Sequence, residues 1–141
     1  METLHKTPME QITCQINSKP GVREVIDLFI KSELPRPNDD PERIRKMLDN
    51  SDLIVTATYQ NKLVGICRCI TDWAWCCYLS DLAVDPAFKQ SGIGRQLIQI
   101  TRETLGEQVM ILLLSVPTAM TYYPRVGFAK ENRAFIINRT N

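Results

Sequence analysis

Two glycines one residue apart, Gly92 and Gly94, with Lys89 before them and Arg95 directly after, form the stretch of this chain best suited to holding a phosphate. An extended run, Leu82-Ala83-Val84, stops at Asp85-Pro86, and a helical apolar period starts at Ile93. Glycine lets a backbone approach a ligand closely, and the first-turn amides of a helix have no acceptor inside it. Main-chain N–H groups around Gln90, Ser91, Gly92, Ile93, Gly94 and Arg95 can therefore grip a phosphate or diphosphate, helped by the positive helix end and by two mobile cations. The bland alternative is a plain turn with two glycines. Two familiar nucleotide sites are excluded: there is no GxGxxG near a first strand with an acid about 20 residues on, and no Gly-Lys-Ser/Thr of a P-loop.

The segment Leu82 to Arg95 resembles motif A of the GNAT (Gcn5-related N-acetyltransferase) superfamily, in which Gln or Arg, two residues, Gly, one residue, and Gly or Ala follow one another. Lys89, Gly92 and Gly94 take those positions, lysine standing where the family has Gln or Arg. Leu82-Ala83-Val84-Asp85-Pro86 looks like the family's fourth strand, whose splayed backbone pairs with the pantetheine arm of acetyl-CoA; the resemblance gives those main-chain bonds to Leu82 and Val84. Downstream, Tyr122-Tyr123-Pro124-Arg125-Val126-Gly127-Phe128 is similar to the family's aromatic-Tyr-x-x-x-Gly-Phe signature, which implies that Tyr123 donates a proton to the departing CoA sulfur. The family's usual Asn after strand five is replaced by Ser115-Val116-Pro117, leaving Ser115 as a substitute polar contact. The likeness is close over Leu53 to Phe128 and earlier extends only to element order. It implies a three-layer α+β domain with a mixed, mostly antiparallel sheet of about six strands and about four helices. It also implies acetyl-CoA as cosubstrate, no metal, and a small-molecule or peptide amine as acceptor.

Acetyl transfer to an amine raises two proton problems. A primary amine near pKa 10.4 is neutral in only about one molecule in 2,500 at pH 7, so a base is needed unless the amine arrives neutral. Asp81 is the obvious carboxylate, but strict alternation along a strand turns it from the face of Tyr78, Ser80 and Leu82. A bulge would reverse that. Asp81 is thus either a base or a structural or orienting group, and Tyr78 and Ser80 can instead hold a water chain. At the leaving sulfur, a phenol near 10 facing a thiol near 8.5 makes full transfer uphill by about 2 kcal/mol, so Tyr123 acts mainly as a hydrogen-bond donor. Its alternative is a ring packed on the sheet with its hydroxyl in water.

The elements that must position these groups follow from periodicity. Ile12 to Asn17 reads as a strand, Val22 to Ile30 as an amphipathic helix, and Asp40-Pro41 as the start of a second helix. Leu53 to Asp72 reads as a hairpin turning at Gln60-Asn61, and about Trp75 to Val84 as the next strand. A helix from Ile93 to Leu105 capped by Gly106 leads to Val109–Leu114, six apolar residues expected to form a strand covered on both faces. A short helix over Thr118 to Val126 and a last strand over Phe128 to Arg139, burying Ala134, Ile136 and Phe135, complete the order. Strand, helix and strand around the glycine loop form a βαβ unit with parallel strands. Trp73 and Trp75 either line an acceptor pocket or pack in a core or dimer contact; Arg36, Asp39 and Asp40 either edge that pocket or form a solvated loop.

Composition bounds the rest. The 141 residues fit one domain, and a net charge of +1 leaves no field for nucleic acid. With no apolar run of about 18 residues and a polar start, a soluble cytoplasmic chain without membrane contact is expected. Five cysteines without CxxC spacing and a single histidine, His5, read as reduced core thiols and a frayed terminus rather than a metal site. Exposed strand edges make a homodimer a further expectation. Two other classes compete with the enzyme: a non-catalytic acyl-CoA sensor or interaction module, and an α+β domain binding a plain anion.

Overall fold

The computed structural model describes residues 8–140, so His5 lies outside the described residues. The alternating segments form one sheet: β1 (Thr13–Ile16), β2 (Leu53–Tyr59), β3 (Lys62–Thr71), β4 (Cys76–Val84) and β5 (Met110–Leu112), in that spatial order. The first three pairings are antiparallel and β4–β5 is parallel, as the glycine-loop crossover requires. Helices α1 (Val22–Lys31) and α2 (Pro41–Asp49) cover one face, burying Val25, Phe29 and Ile44 against Ile54, Ile66 and Ala83. Helix α3 (Ile93–Leu105) covers the other, with Ile93 and Leu97 against Val55, Val64 and Cys67.

Local chemistry explains the boundaries. The Asp40 carboxylate accepts from the Arg43 N–H at 3.1 Å and Pro41 opens α2, while Glu24 reaches back to the Gly21 N–H at 2.8 Å to start α1. Glycine at 65 lets α3 lie close on the sheet, because a Cβ there would stand 2.8 Å from Ile93 Cγ2. Among the described residues no helix is long and apolar enough to cross a membrane.

Two expected strands differ. Of the apolar run Val109–Leu114 only Met110–Leu112 pair, and Met110 and Leu114 are exposed, so the run is not covered on both faces. It is the sheet edge, and its outer side has no ladder. The last strand is absent: Phe128 to Arg139 forms neither strand nor helix, and Phe135 and Ile137 are 98% and 100% exposed. The tail passes beside β5 without hydrogen-bonding to it, so Ala134, Phe135 and Ile136 gain no core environment. Among the described residues the sheet therefore has five strands rather than about six. The cysteines are free, with Cys67, Cys69 and Cys77 buried together, Cys14 half-buried and Cys76 exposed, which corrects the core reading for Cys76. The hydrogen-bonded Cys67 and Cys77 thiols, with burial, push the Cys69 thiol up.

Candidate active site

The glycine loop sits at the break between β4 and α3. Asp85 ends β4; its N–H donates to the Val64 carbonyl at 2.8 Å and its carboxylate accepts from Ala87 N–H at 3.0 Å, starting a 3₁₀ turn over Pro86–Ser91. Gly92 then takes φ 78° as the N-cap of α3, a conformation that favours glycine, and a Cβ there would meet nothing within 4 Å. The helix start thus opens onto free space with the unbonded first-turn amides of Ile93, Gly94 and Arg95 beside it. Gly94 is different: a Cβ would collide with the Tyr122 hydroxyl. Its role is close packing of α4 (Tyr122–Arg125) on α3, reinforced by Arg95 Nη2 donating to the Arg125 carbonyl at 3.2 Å. Lys89 and Gln90 are exposed, whereas Ser91 and Ile93 are buried and can offer only main chain to a ligand.

Beyond Tyr78 and Leu112 the parallel ladder of β4 and β5 stops, while β4 continues to Val84. The edge of β4 from Leu79 onward thereby faces away from any β5 partner, leaving main-chain groups there for an extended ligand. Leu82 and Val84 turn their side chains to the α3 cluster and Ala83 packs with the α1–α2 cluster, so all three can contribute backbone alone.

A bulge sits in the same strand. Arg68 pairs with Asp81 and Cys69 with Leu79, which leaves Ser80 as the extra residue. Cys77 and Leu79 face α3, but past the bulge Leu82 and Val84 take that side. Strict alternation is therefore corrected: Asp81 lies toward α1 and α2 with Tyr78 and Ser80, and Leu82 does not. There the Asp81 carboxylate is fully buried between two guanidiniums, Arg36 Nε at 2.6 Å and Arg68 Nε at 2.5 Å. Arg36 Nη2 also donates to the Ser80 carbonyl at 2.8 Å, and Arg68 Nη2 to the Ser80 hydroxyl at 2.9 Å. Both oxygens are engaged by guanidiniums and the side chain has no exposed surface.

Tyr78, Ser80 and Ser115 line a cavity of about 600 Å³ between the α1–α2 loop, β4 and the tail. Ser115 donates to the Val116 carbonyl at 2.8 Å. A larger cavity, about 1100 Å³, lies between the far end of α3, β5 and the tail, and none of the expected site residues lines it. Trp73 and Trp75 line neither cavity and are 46% and 76% exposed at the β3–β4 turn, outside the core. Asp39 and Asp40 are also outside the smaller cavity's lining, whereas Arg36 belongs to it.

Tyr123 is half-buried, edge-on to Tyr122 at 5.3 Å and to Phe128 at 5.5 Å. Burial first, then the neighbouring Tyr122 and Cys67, pushes its phenol up to about 12, against a smaller opposing pull from Arg36. Burial likewise raises Tyr122.

A helix start that opens onto space, a β4 edge freed from β5 and a Tyr-bearing α4 packed on α3 stand in the order of motif A and the Gly-Phe signature. The sequence pattern of the acetyltransferase (GNAT) domain matches residues 29–138. The chain belongs to the GNAT acetyltransferase domain family. This GNAT domain is 29% identical over 98 residues to the uncharacterized N-acetyltransferase ycf52 of Pyropia yezoensis, a match covering 64% of this chain and 55% of the relative. A ycf52-like relative in Prochlorococcus marinus is 26% identical over 63% of this chain and 53% of its own. The chain spans about half the length of the curated relatives it matches. In fold, it superposes on a GNAT-family acetyltransferase of Streptococcus pneumoniae TIGR4 with TM-score 0.70, at 21% identity over 91% of this chain and 98% of that one. An aminoglycoside acetyltransferase from an uncultured soil metagenomic sample, solved with sisomicin, gives TM-score 0.67 at 19% identity over 94% and 97%. These likenesses support the fold of the GNAT domain.

Arg68 escaped the sequence reading. The signal was there: an arginine inside Leu63-Val64-Gly65-Ile66-Cys67-Arg68-Cys69-Ile70 must either break the strand or find a buried acid. Arg43, Met47 and Arg139, which also line the smaller cavity of the GNAT domain, carry no comparable local mark.

Proposed function

We propose that this GNAT domain transfers the acetyl group of acetyl-CoA to an amine. The observation that carries the reading is the conjunction of an open, positive-φ Gly92 at the α3 start with the parting of β4 from β5 after Tyr78 and Leu112. Main-chain amides from Gln90 to Arg95 would hold the diphosphate, with the exposed Lys89 as a mobile cation and Arg95, tied through Nη2 to the Arg125 carbonyl, as a fixed one. The backbone of Leu82, Ala83 and Val84 would hold the pantetheine arm. When bound, acetyl-CoA supplies a thioester carbonyl that a neutral amine can attack.

Tyr123, whose phenol burial raises, keeps its proton through the neutral range and would donate a hydrogen bond toward charge forming on sulfur. With the phenol at about 12 and a thiol near 8.5, complete transfer is uphill by on the order of 4 kcal/mol even after discounting for its solvent-exposed part. Tyr123 therefore stabilises the leaving sulfur by hydrogen bonding rather than surrendering its proton, and Tyr122 is a packing residue against Gly94. Asp81 orients Arg36 and Arg68 and through them Ser80; the amine proton leaves by way of water held at Tyr78 and Ser80, or the amine enters already neutral.

Titration calorimetry with acetyl-CoA and a free-thiol assay across a panel of amines test this reading. Binding with thiol release is the expected result. Binding without release from any amine would turn the reading to a non-catalytic acyl-CoA sensor, and no heat with acetyl-CoA would end both.

A further inference from the structure

The smaller cavity brings together four arginines from four separate segments: Arg36 before α2, Arg43 within it, Arg68 on β3 and Arg139 in the tail. Among the described residues no acidic side chain lines it. Asp81, behind the wall, answers Arg36 and Arg68 together, and among the described residues Arg43 and Arg139 are in no ion pair. The rest of the wall is mainly apolar, with Met47, Leu114 and Ile136 beside Tyr78 and Ser80. A cavity of about 600 Å³ is of the size that encloses a small molecule.

Resting on the transferase reading, we infer that the acceptor is an amine that also carries a carboxylate on an apolar body, such as an amino acid or short peptide, and not a polycation. Guanidinium groups bind carboxylates through charge-assisted, often paired hydrogen bonds. Asp81 leaves the arginine cluster a net positive field, and that field acts twice. It draws in the carboxylate, and it disfavours the ammonium form of the amine, so that more of the bound acceptor is neutral and able to attack. This supplies what the fully engaged Asp81 does not. In the transfer the amine nitrogen forms the new bond to the acetyl carbon, the carbon–sulfur bond breaks, sulfur leaves with its electron pair, and the amine proton passes to water. A polyamine or an aminoglycoside would set several ammonium groups against arginines, which is unfavourable both at encounter and when bound.

The test uses leucylglycine and leucylglycinamide, which share an amine and differ in one distal charge, with spermidine and kanamycin as polycations. Each is assayed for thiol release from acetyl-CoA and, separately, by calorimetry on the CoA-loaded protein. Leucylglycine should exceed its amide by about tenfold or more in kcat/KM or in affinity, with both polycations below the amide. The paired substitution Arg43→Glu and Arg139→Glu, at two exposed side chains, should bring the leucylglycine to amide ratio close to one while acetyl-CoA affinity and the circular dichroism spectrum stay as they were. Equal use of acid and amide, or a preference for spermidine or kanamycin, overturns the inference while leaving the transferase intact. A calorimetric preference for leucylglycine without thiol release from any of the four supports the acceptor class and counts against the transferase.

Discussion

Replacing Asp81 by Asn separates the two roles a carboxylate on β4 could have. The side chain is 0% exposed and gives one oxygen to Arg36 Nε and the other to Arg68 Nε, whose own side chains are 22% and 7% exposed. Asparagine keeps the volume, removes the charge and turns one acceptor into a donor pointing at a guanidinium. Two cations then share a single amide oxygen. Breaking a buried ion pair from one side costs about 3–5 kcal/mol, and since Arg36 can recover some water we expect about 3 kcal/mol here. For a chain of this size that corresponds to a Tm lower by about 10 °C. Urea unfolding followed by circular dichroism should show an earlier midpoint at unchanged slope. Arg68→Met alone should cost a similar amount, and the double variant should cost at least about 1 kcal/mol less than the two together, since it removes the orphaned charge. At a temperature where Asp81→Asn is folded, its kcat should stay within about tenfold of the parent, whereas loss of a general base takes about 10²–10⁴-fold. A cost below about 1 kcal/mol, strict additivity, or a full base-like loss of kcat with normal stability would each refute the structural role.

Tyr123→Phe should lower kcat by about 10²-fold, the loss typical of one donor to developing charge, and leave acetyl-CoA affinity unchanged. Because burial raises the Tyr123 phenol, its protonated form persists to higher pH and is lost only as pH climbs toward about 12. The kcat–pH profile should therefore show no alkaline fall from this residue below about pH 10; a fall near pH 9 that vanishes in Tyr123→Phe would contradict it. Gly94→Ala should destabilise by about 1 kcal/mol, the clash with the Tyr122 hydroxyl outweighing the helix-forming gain of alanine. Adding Tyr122→Phe should restore most of it, because the nearest remaining ring atom, Cζ, stands 3.4 Å from that Cβ. Stabilisation by Gly94→Ala alone would show that the two helices do not pack as described.

Much of the site's main-chain frame was legible because it depends on short-range physics. A strand stopped by Asp85-Pro86, a turn that needs a positive φ at Gly92 and an apolar helical period from Ile93 all act within a few residues. The parallel β4–β5 pair followed from the βαβ order, and Asp40-Pro41 placed the start of α2. The tertiary structure alone decided the side chains around that frame. Whether Asp81 faces the cavity hangs on one unpaired residue, Ser80, and a bulge is set by how two strands register across a sheet. Its partners lie 45 and 13 residues away, and only desolvation in the folded core makes their pairing obligatory. The tail shows the reverse case: Phe135-Ile136-Ile137 has the apolar residues of a strand, but a strand exists only where a neighbouring edge supplies its hydrogen bonds, and β5 does not. The four arginines around the smaller cavity are invisible to any local window, because their convergence is a property of the chain's path and not of its composition.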